Sequence, residues 1–555
     1  MFTKIFQSFS TFAVSWSLFF ASLIVNGWNI NGFPTYTEDE GTYISQAWAF
    51  AQQGDLAIYT YWYDHAPAGW MTLGIWESII HQFWKFGLSV DSGRVFVVFL
   101  VSLTTVVVYN SLVQQTNNRP LSLVATLPFI FSPLCIYFHR QLLLDNIMTF
   151  WILVSVYFLL KNQIHLSRAI ISGFICGIAI LSKESTLFLI PSLLYLLWTG
   201  SYGRNRRILV GSWICSFCTI VFLYPMYALL KGEFFPAGTL FGGDKPHVSL
   251  LDAWLFQASR KGVSILVAGP TSDVIVKQTW MRFDSFFSVI TVLISIVIIV
   301  LSFKKGANRF HRMSAIATLC FGFYVLKGPI FSWYIIPIIP FLCFNLALFL
   351  DFLSNSIREY LVYYPIRIKI LKTFKSIRNN VFVTKILAKP SINRIVYQIR
   401  IRLFILLRMT VGLGIVLVIA VQLFTNRFVF TANHTQDQKD VIVWAKEVLN
   451  VSSNKKPFIV IDNYSYLDLN GVRERATEAN FQYFWKIDSD PAIRDGILQG
   501  DWRNIDYLIV TPALWETVKN GDIPMVASAY ESSDEVKVFN QTGVYPVSVR
   551  KVRKV

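Results

Sequence analysis

Three consecutive acids, Glu38, Asp39 and Glu40, stand in "YTEDEGTY" directly after a long apolar run. A further acid, Asp145, stands in "HRQLLLDNIMTFW", about one turn into another apolar run. A carboxylate in such surroundings costs on the order of several kcal/mol unless it is paired or hydrated. One that is kept there can hold or deprotonate a hydroxyl as general base. Cations occur in the same parts of the chain: Lys183 in "LSKEST", and His65, Lys245, His247, Arg260, Lys261, Lys277 and Arg282 in loops. Cations of this kind neutralise a departing phosphate, arginine as a fork and lysine as a point charge.

Each of these residues also has a purely structural reading. Thr37 to Glu40 fits a T-x-x-E capping box with acids at the positive helix end. Such a cap uses Thr37 and Glu40 and leaves Asp39 free. Asp145 can complement a helix dipole or pair with Arg140, and Lys183 can pair with its neighbour Glu184.

The elements that must position these residues are read from hydropathy. The chain has 555 residues, 54% of them hydrophobic, and a mean hydropathy of +0.48. Runs of about 20 apolar residues predict transmembrane helices. They fall near 10–29, 93–113, 120–138, 141–160, 168–182, 186–200, 208–230, 285–303, 313–327, 330–350 and 403–425. The stretch 69–86 carries Glu77, His81 and Lys85 and reads as an interfacial helix. The first run is read as a retained helix rather than a signal peptide. All six cysteines lie in apolar runs, where Cys215 and Cys218 read as packing residues and no disulfide framework is expected.

Charge gives the sidedness. The net charge of +17 is not spread evenly. Residues 354–402 hold 11 Lys/Arg against one acid, Glu359, whereas residues 427–555 hold 16 Lys/Arg against 17 Asp/Glu. Basic charge confined to a loop between apolar runs is a topology signal, and no nucleic-acid partner is expected. With a cytoplasmic N-terminus, "QQTNNR", "KNQIHLSR", "YGRNRR", "KKGANRFHR" and 354–402 all fall on the cytoplasmic side. The basic loop is then expected on anionic headgroups. The first outer loop (30–92), the second large outer loop (231–284) and the tail share the opposite face.

The predicted architecture is thus a polytopic α-helical membrane protein of about eleven spans over residues 1–426, followed by a small extracytoplasmic α/β domain over 427–555. In the tail "KDVIVWAKEVLN" reads as an amphipathic helix, and "PFIVID" and "IDYLIVTP" read as short strands. Sequons at Asn433, Asn450, Asn463 and Asn540 matter only in a host that glycosylates them. On this topology Asp39, Asp145 and Lys183 emerge on one face. That suits transfer between a phosphate-anchored lipid and an acceptor, with the chemistry held at membrane depth by the lipid tail.

The order of "EDEGTY", "YDHAPAGW", "HRQLLLDNIMTFW", "LSKES" and "WYIIPIIP" resembles the GT-C superfamily of membrane glycosyltransferases. It is similar above all to the dolichyl-phosphate-mannose-protein mannosyltransferase group (GT39), with the lipid A aminoarabinose transferases nearby. The likeness covers most of residues 1–350. It implies a GT-C fold, a polyprenyl-phosphate sugar donor, inversion at the anomeric carbon, and a lipid, protein or polysaccharide acceptor. It maps the acidic motif onto Asp39 and Glu40, with Asp39 as acid-base residue, the second acid onto Asp145, and a phosphate contact onto Tyr334. Where relatives carry Lys before Pro, this chain has "DHAP", so either His65 takes over the phosphate or a metal there, or that contact is lost. Lys183 and Arg260 are further phosphate candidates. Asp64, His65 and His247 are the candidate ligands should a divalent ion serve as cofactor. A bacterial inner membrane is the expected location.

Two rival readings remain. A secondary transporter would place ionisable residues near the midplane, but the halves show no repeat and the key charges sit at one surface. A non-catalytic scaffold would use the tail to bind a partner.

Overall fold

The computed structural model describes residues 2–58, 60–80, 83–201, 203–243, 247–259, 270–327, 331–358, 390–449, 457–470 and 481–554. Each of the eleven apolar runs forms a helix. They are α1 (Phe2–Gly27), α4 (Ser89–Thr116), α5 and α6 (Arg119–Phe131 and Pro133–His139), α7 (Leu144–Leu159), α8 (Leu166–Ser182), α9 (Ile190–Thr199), α10 and α11 (Gly203–Val221 and Leu223–Lys231), α14 (Arg282–Ser302), α15 (Arg309–Lys327), α16 (Ile339–Arg358) and α17 (Pro390–Thr425). The loops add α2 (Glu38–Trp48), α3 (Ala68–Ile80), α12 (Leu250–Ser259) and the single turn α13 (Pro270–Asp273).

Helix length does not by itself fix the expected count of about eleven spans. Among the described residues four stretches are long and apolar enough to cross a bilayer: Ser89–Thr116, Asn205–Lys231, Val274–Ser302 and Ser332–Ile357. A fifth arises if α5 and α6, bent by 60°, are one span. The bend falls at Ser132–Pro133, where proline cannot continue the helix. Other apolar helices are shorter; α7 has 16 residues and α8 has 17. Asp145 stands in the first turn of α7, and Lys183 directly follows the end of α8. Most of the basic loop, residues 359–389, lies outside the described residues.

The expected interfacial helix is α3. It buries Trp70, Leu73 and Glu77 and exposes Ile75 and Ile79, an amphipathic split suited to a membrane surface. Arg140, just after α6, does not pair with Asp145. Its buried guanidinium donates to the carbonyls of Val25, Asn26 and Val429 and so joins the end of α1 to the entry of the tail.

The tail is an α/β unit as its texture predicts. Five strands, β1 (Ile459–Ile461), β2 (Phe481–Tyr483), β3 (Tyr507–Val510), β4 (Ser533–Phe539) and β5 (Val547–Val552), form one sheet in the order β2-β1-β3-β5-β4. β1 runs parallel to β2 and β3, and β5 runs antiparallel to β3 and β4. Strand alternation divides the sheet's side chains between two cores. Ile459, Ile461 and Ile509 join the large core that continues into the membrane helices. Val460, Leu508 and Val510 pack in a core of the tail's own helices. The tail's helices are α18 (Gln436–Trp444), α19 (Tyr466–Asn470), α20 (Phe484–Ser489), α21 (Pro512–Asn520) and α22 (Pro524–Glu531); the last three supply this core, whereas α18 and α19 pack into the large one.

The first loop and the tail are bolted together. The buried Gln438 carboxamide pairs with the backbone of Tyr36, accepting from its N–H at 2.8 Å and donating to its carbonyl at 3.0 Å. Asp468 accepts from the N–H and hydroxyl of Ser89 and from the Trp84 indole, which caps the N-terminus of α4 with an acid. Asn463 is buried and donates to Thr42 at 2.6 Å. Its sequon is therefore inaccessible in the folded chain. Asn433 and Asn540 are exposed, and Asn450 lies outside the described residues.

Candidate active site

Helix α2 carries the acidic motif and is fixed from two sides. Glu40 is fully buried and forms a two-pronged ion pair with Arg94 of α4, Nε to Oε1 and Nη2 to Oε2 both at 2.7 Å. Glu40 also accepts from the backbone N–H of Leu142 at 2.9 Å and of Thr37 at 3.0 Å, the latter as a capping box requires. Arg94 spends its remaining donors on the carbonyls of Ile30, Pro34 and Thr35. The Glu40 carboxylate is thus taken up by Arg94, by the cap at Thr37 and by the turn before α7 at Leu142. On the opposite side Gly41 meets the tail: a Cβ here would overlap the backbone of Asn463 and Tyr464.

That clamp leaves Asp39 half-buried, with no hydrogen bond to its carboxylate among the described residues. Burial raises its pKa, partly offset by the charges of Lys183 and His65, while Asp145 and Asp64 add to the rise. Tyr43, four residues after Asp39 on α2, has its ring centre 6.4 Å from that of His65, and these charged groups lie near enough to Asp39 to act on it. Asp39, His65, Asp64, Asp145 and Lys183 are therefore brought together from α2, the first loop, the start of α7 and the end of α8.

Within this group the pairings differ from those the sequence suggests. Lys183 turns away from Glu184 and reaches Asp145, Nζ to Oδ2 2.5 Å, with both side chains almost fully buried. Its ammonium also lies 4.7 Å from the ring centre of Tyr334, a cation–π distance. Tyr334 in turn stacks on Tyr324 of α15. Asp145 Oδ1 is buried and without a hydrogen-bond partner among the described residues. Glu184 instead holds His65, Oε2 to Nδ1 at 3.1 Å, and accepts from the Ala66 N–H at 2.8 Å. Burial works against the His65 imidazolium, but the Glu184 carboxylate and then Asp64 outweigh it and hold its pKa above the ordinary value. Tyr61 and Tyr224 donate their hydroxyls to the His65 carbonyl.

Sequence reasoning missed two contributors. Arg94, at the start of an apolar span, is the counter-ion that frees Asp39 from structural duty; an arginine in the first turn of such a run is the available signal. Tyr43 lies four residues after Asp39, on the same helix face. It is buried, its ring centre is 6.4 Å from that of His65, and burial and then Asp39, Asp64 and Asp145 push its pKa up.

Of the other candidates, Arg260 lies outside the described residues. His247 directs Nε2 to the carbonyl of Phe235 at 2.9 Å. Among the described residues no three of His, Cys, Asp or Glu gather as a metal-binding group. Asp64, His65 and His247 therefore do not fit a metal centre here.

This architecture defines a membrane protein with the GT-C fold. Residues 8–236 match the family described as Dolichyl-phosphate-mannose-protein mannosyltransferase (PMT). Along nearly its whole length the chain is similar to ArnT from Cupriavidus metallidurans, solved bound to undecaprenyl phosphate: TM-score 0.58, 14% identity, 98% of each chain covered. It is also similar to the oligosaccharyltransferase AglB of Archaeoglobus fulgidus, solved with an inhibitory peptide and a dolichol-phosphate: TM-score 0.52, 11% identity, 98% of this chain and 74% of that one covered. No curated protein matches significantly in sequence. The resemblance carried by the sequence motifs and the fold thus agree.

Proposed function

We propose that the protein is a glycosyltransferase that moves a sugar from a polyprenyl-phosphate donor to an acceptor hydroxyl on the extracytoplasmic face of the membrane. The observation that carries this reading is that the Glu40–Arg94 pair leaves the Asp39 carboxylate free on α2 while the buried Lys183–Asp145 pair and His65 lie near enough to act on it. The family match and the lipid phosphates bound by ArnT and AglB support the donor class.

In this mechanism Asp39 takes the proton of the acceptor hydroxyl as its oxygen attacks the anomeric carbon. The bond from that carbon to the phosphate oxygen breaks from the opposite side, so the configuration inverts. The polyprenyl phosphate leaves with its charge met by Lys183 and protonated His65, with Tyr334 and Arg260 as further contacts. Asp145 sets the position of Lys183 and directs its second oxygen at the acceptor. Glu40 acts through Arg94 and the Thr37 cap, as a positioning residue. The tail, which braces α2, helps hold the acceptor. A bacterial inner membrane, with the N-terminus cytoplasmic, fits the loop charges.

The test is incubation of the purified protein with a panel of labelled polyprenyl-phosphate sugars. Release of polyprenyl phosphate from one donor, lost in Asp39→Asn, is the expected result. Undiminished turnover in that variant would sink the assignment of the base, and transport of an intact solute would favour the rival class.

A further inference from the structure

The segments on either side of His247 form a protrusion fixed at its base. The hydroxyl of Tyr63 donates to Glu233 Oε2 at 2.6 Å, one residue from Asp64 and two from His65. The N–H groups of Leu250 and Leu251 donate to the carbonyls of Glu233 and Phe234, and His247 holds the carbonyl of Phe235. Beyond this base the protrusion is strongly apolar. Leu240 is 91% and Phe241 70% exposed, and on α12 Trp254, Leu255 and Phe256 are 45–61% exposed. Leu250 and Ala253 of the same helix face inward and are buried.

Patches of this size mark a contact with something apolar. The neighbouring span indicates that the occupant is lipid. The protrusion leaves the end of α11, whose Leu230 is 85% exposed on a stretch long and apolar enough to cross a bilayer. The exposed apolar surface at the end of that span resumes in the loop at Leu240 and Phe241, past the exposed Lys231 and Thr239. A short helix that buries Leu250 and Ala253 and exposes Trp254, Leu255 and Phe256 has the composition of an element lying in the interface.

We propose that this protrusion inserts Leu240, Phe241 and the outer face of α12 into the lipid leaflet on the side of the Asp39 pocket. Bolted to Tyr63, it forms a rim between that leaflet and the residues at Asp64 and His65. If the donor is a polyprenyl phosphate, as the functional reading holds, the rim is the edge its headgroup crosses.

The full chain in nanodiscs tests the insertion without any turnover. Tryptophan emission is compared between the protein and Trp254→Phe, in plain phosphatidylcholine and in phosphatidylcholine brominated along its acyl chains. The Trp254 contribution, taken as the difference, is expected to be lost in brominated lipid and spared by aqueous iodide. The reverse pattern overturns the proposal. Leu240→Trp supplies a second reporter with the same expectation if Trp254→Phe misfolds. For the rim, Leu240→Asp with Phe241→Asp is expected to raise KM for a long-chain donor several-fold while kcat holds. Quenching with unchanged KM keeps the insertion and overturns the rim.

Discussion

Lys183 places its ammonium 2.5 Å from Asp145 and 4.7 Å over the ring of Tyr334, while its sequence neighbour Glu184 turns to His65. Two residues that read as a local pair thus serve two different partners from two distant parts of the chain. The arrangement keeps a cation and a protonatable imidazole on the same pocket without either being neutralised by the residue next to it.

Breaking the Lys183–Asp145 pair from one side leaves the other charge buried and uncompensated. Lys183→Met is expected to destabilise the protein by about 3–5 kcal/mol, and Lys183→Met with Asp145→Asn by less than the sum of the singles. Thermal unfolding of the four proteins of this cycle measures the coupling.

Asp39→Asn should lower kcat by a factor of about 100 to 10,000, the usual contribution of a general base, with an unchanged melting temperature. Because burial first, and then Asp145 and Asp64, raise the Asp39 pKa, the ionised base is lost at a higher pH than for an ordinary carboxylate. The rate should therefore fall on acidification earlier than a free aspartate predicts. A pH profile of kcat/KM with labelled donor checks the sign.

Glu40→Gln should behave differently, because it strands Arg94 in a fully buried site. A stability loss of about 3–5 kcal/mol is expected, with activity falling in step with the folded fraction. If Glu40→Gln kept its melting temperature and lost turnover, Glu40 would belong to the chemistry instead.

Gly41→Ala adds a methyl group where the Asn463 backbone already lies. The expected outcome is loosening of the tail from α2, seen as faster limited proteolysis between the tail and residue 426 and a lower melting temperature.

Asp462 of the tail and Glu38 of α2 face each other across the same seam. Burial pushes Asp462 up to about 6 and raises Glu38 well above its usual range, with the Asp462 charge as the second cause. A carboxyl whose folded pKa is raised contributes stability that is full below its unfolded pKa and is lost as pH rises through the folded one. Asp462→Asn should therefore stabilise the protein at pH 8, on the order of 2 kcal/mol, and change little at pH 4. Melting temperatures of both proteins across pH 4–8 test this.

The helical layout was legible because apolar runs carry information one segment at a time. All eleven runs became helices, and "PFIVID" and "IDYLIVTP" became adjacent strands. The span count was less legible, since short helices such as α7 begin at buried charged residues such as Asp145, and hydropathy does not register where such a helix starts. At the site, Asp39, Asp145 and Lys183 stood out because charge beside apolar sequence is conspicuous. Their partners did not. Arg94 lies 54 residues from Glu40 and His65 lies 119 from Glu184, and nothing local to either sequence ties such pairs together.

Gln438 copies a β-ladder partner for Tyr36, and Asp468 tops a transmembrane helix from outside. The tail and the first loop are consequently one inherited unit in a mechanical sense. Hybrids that exchange the tail between homologues to alter acceptor choice should fail as folded proteins unless residues 31–91 travel with it, so any specificity written in the tail can diverge only as fast as its docking partner allows.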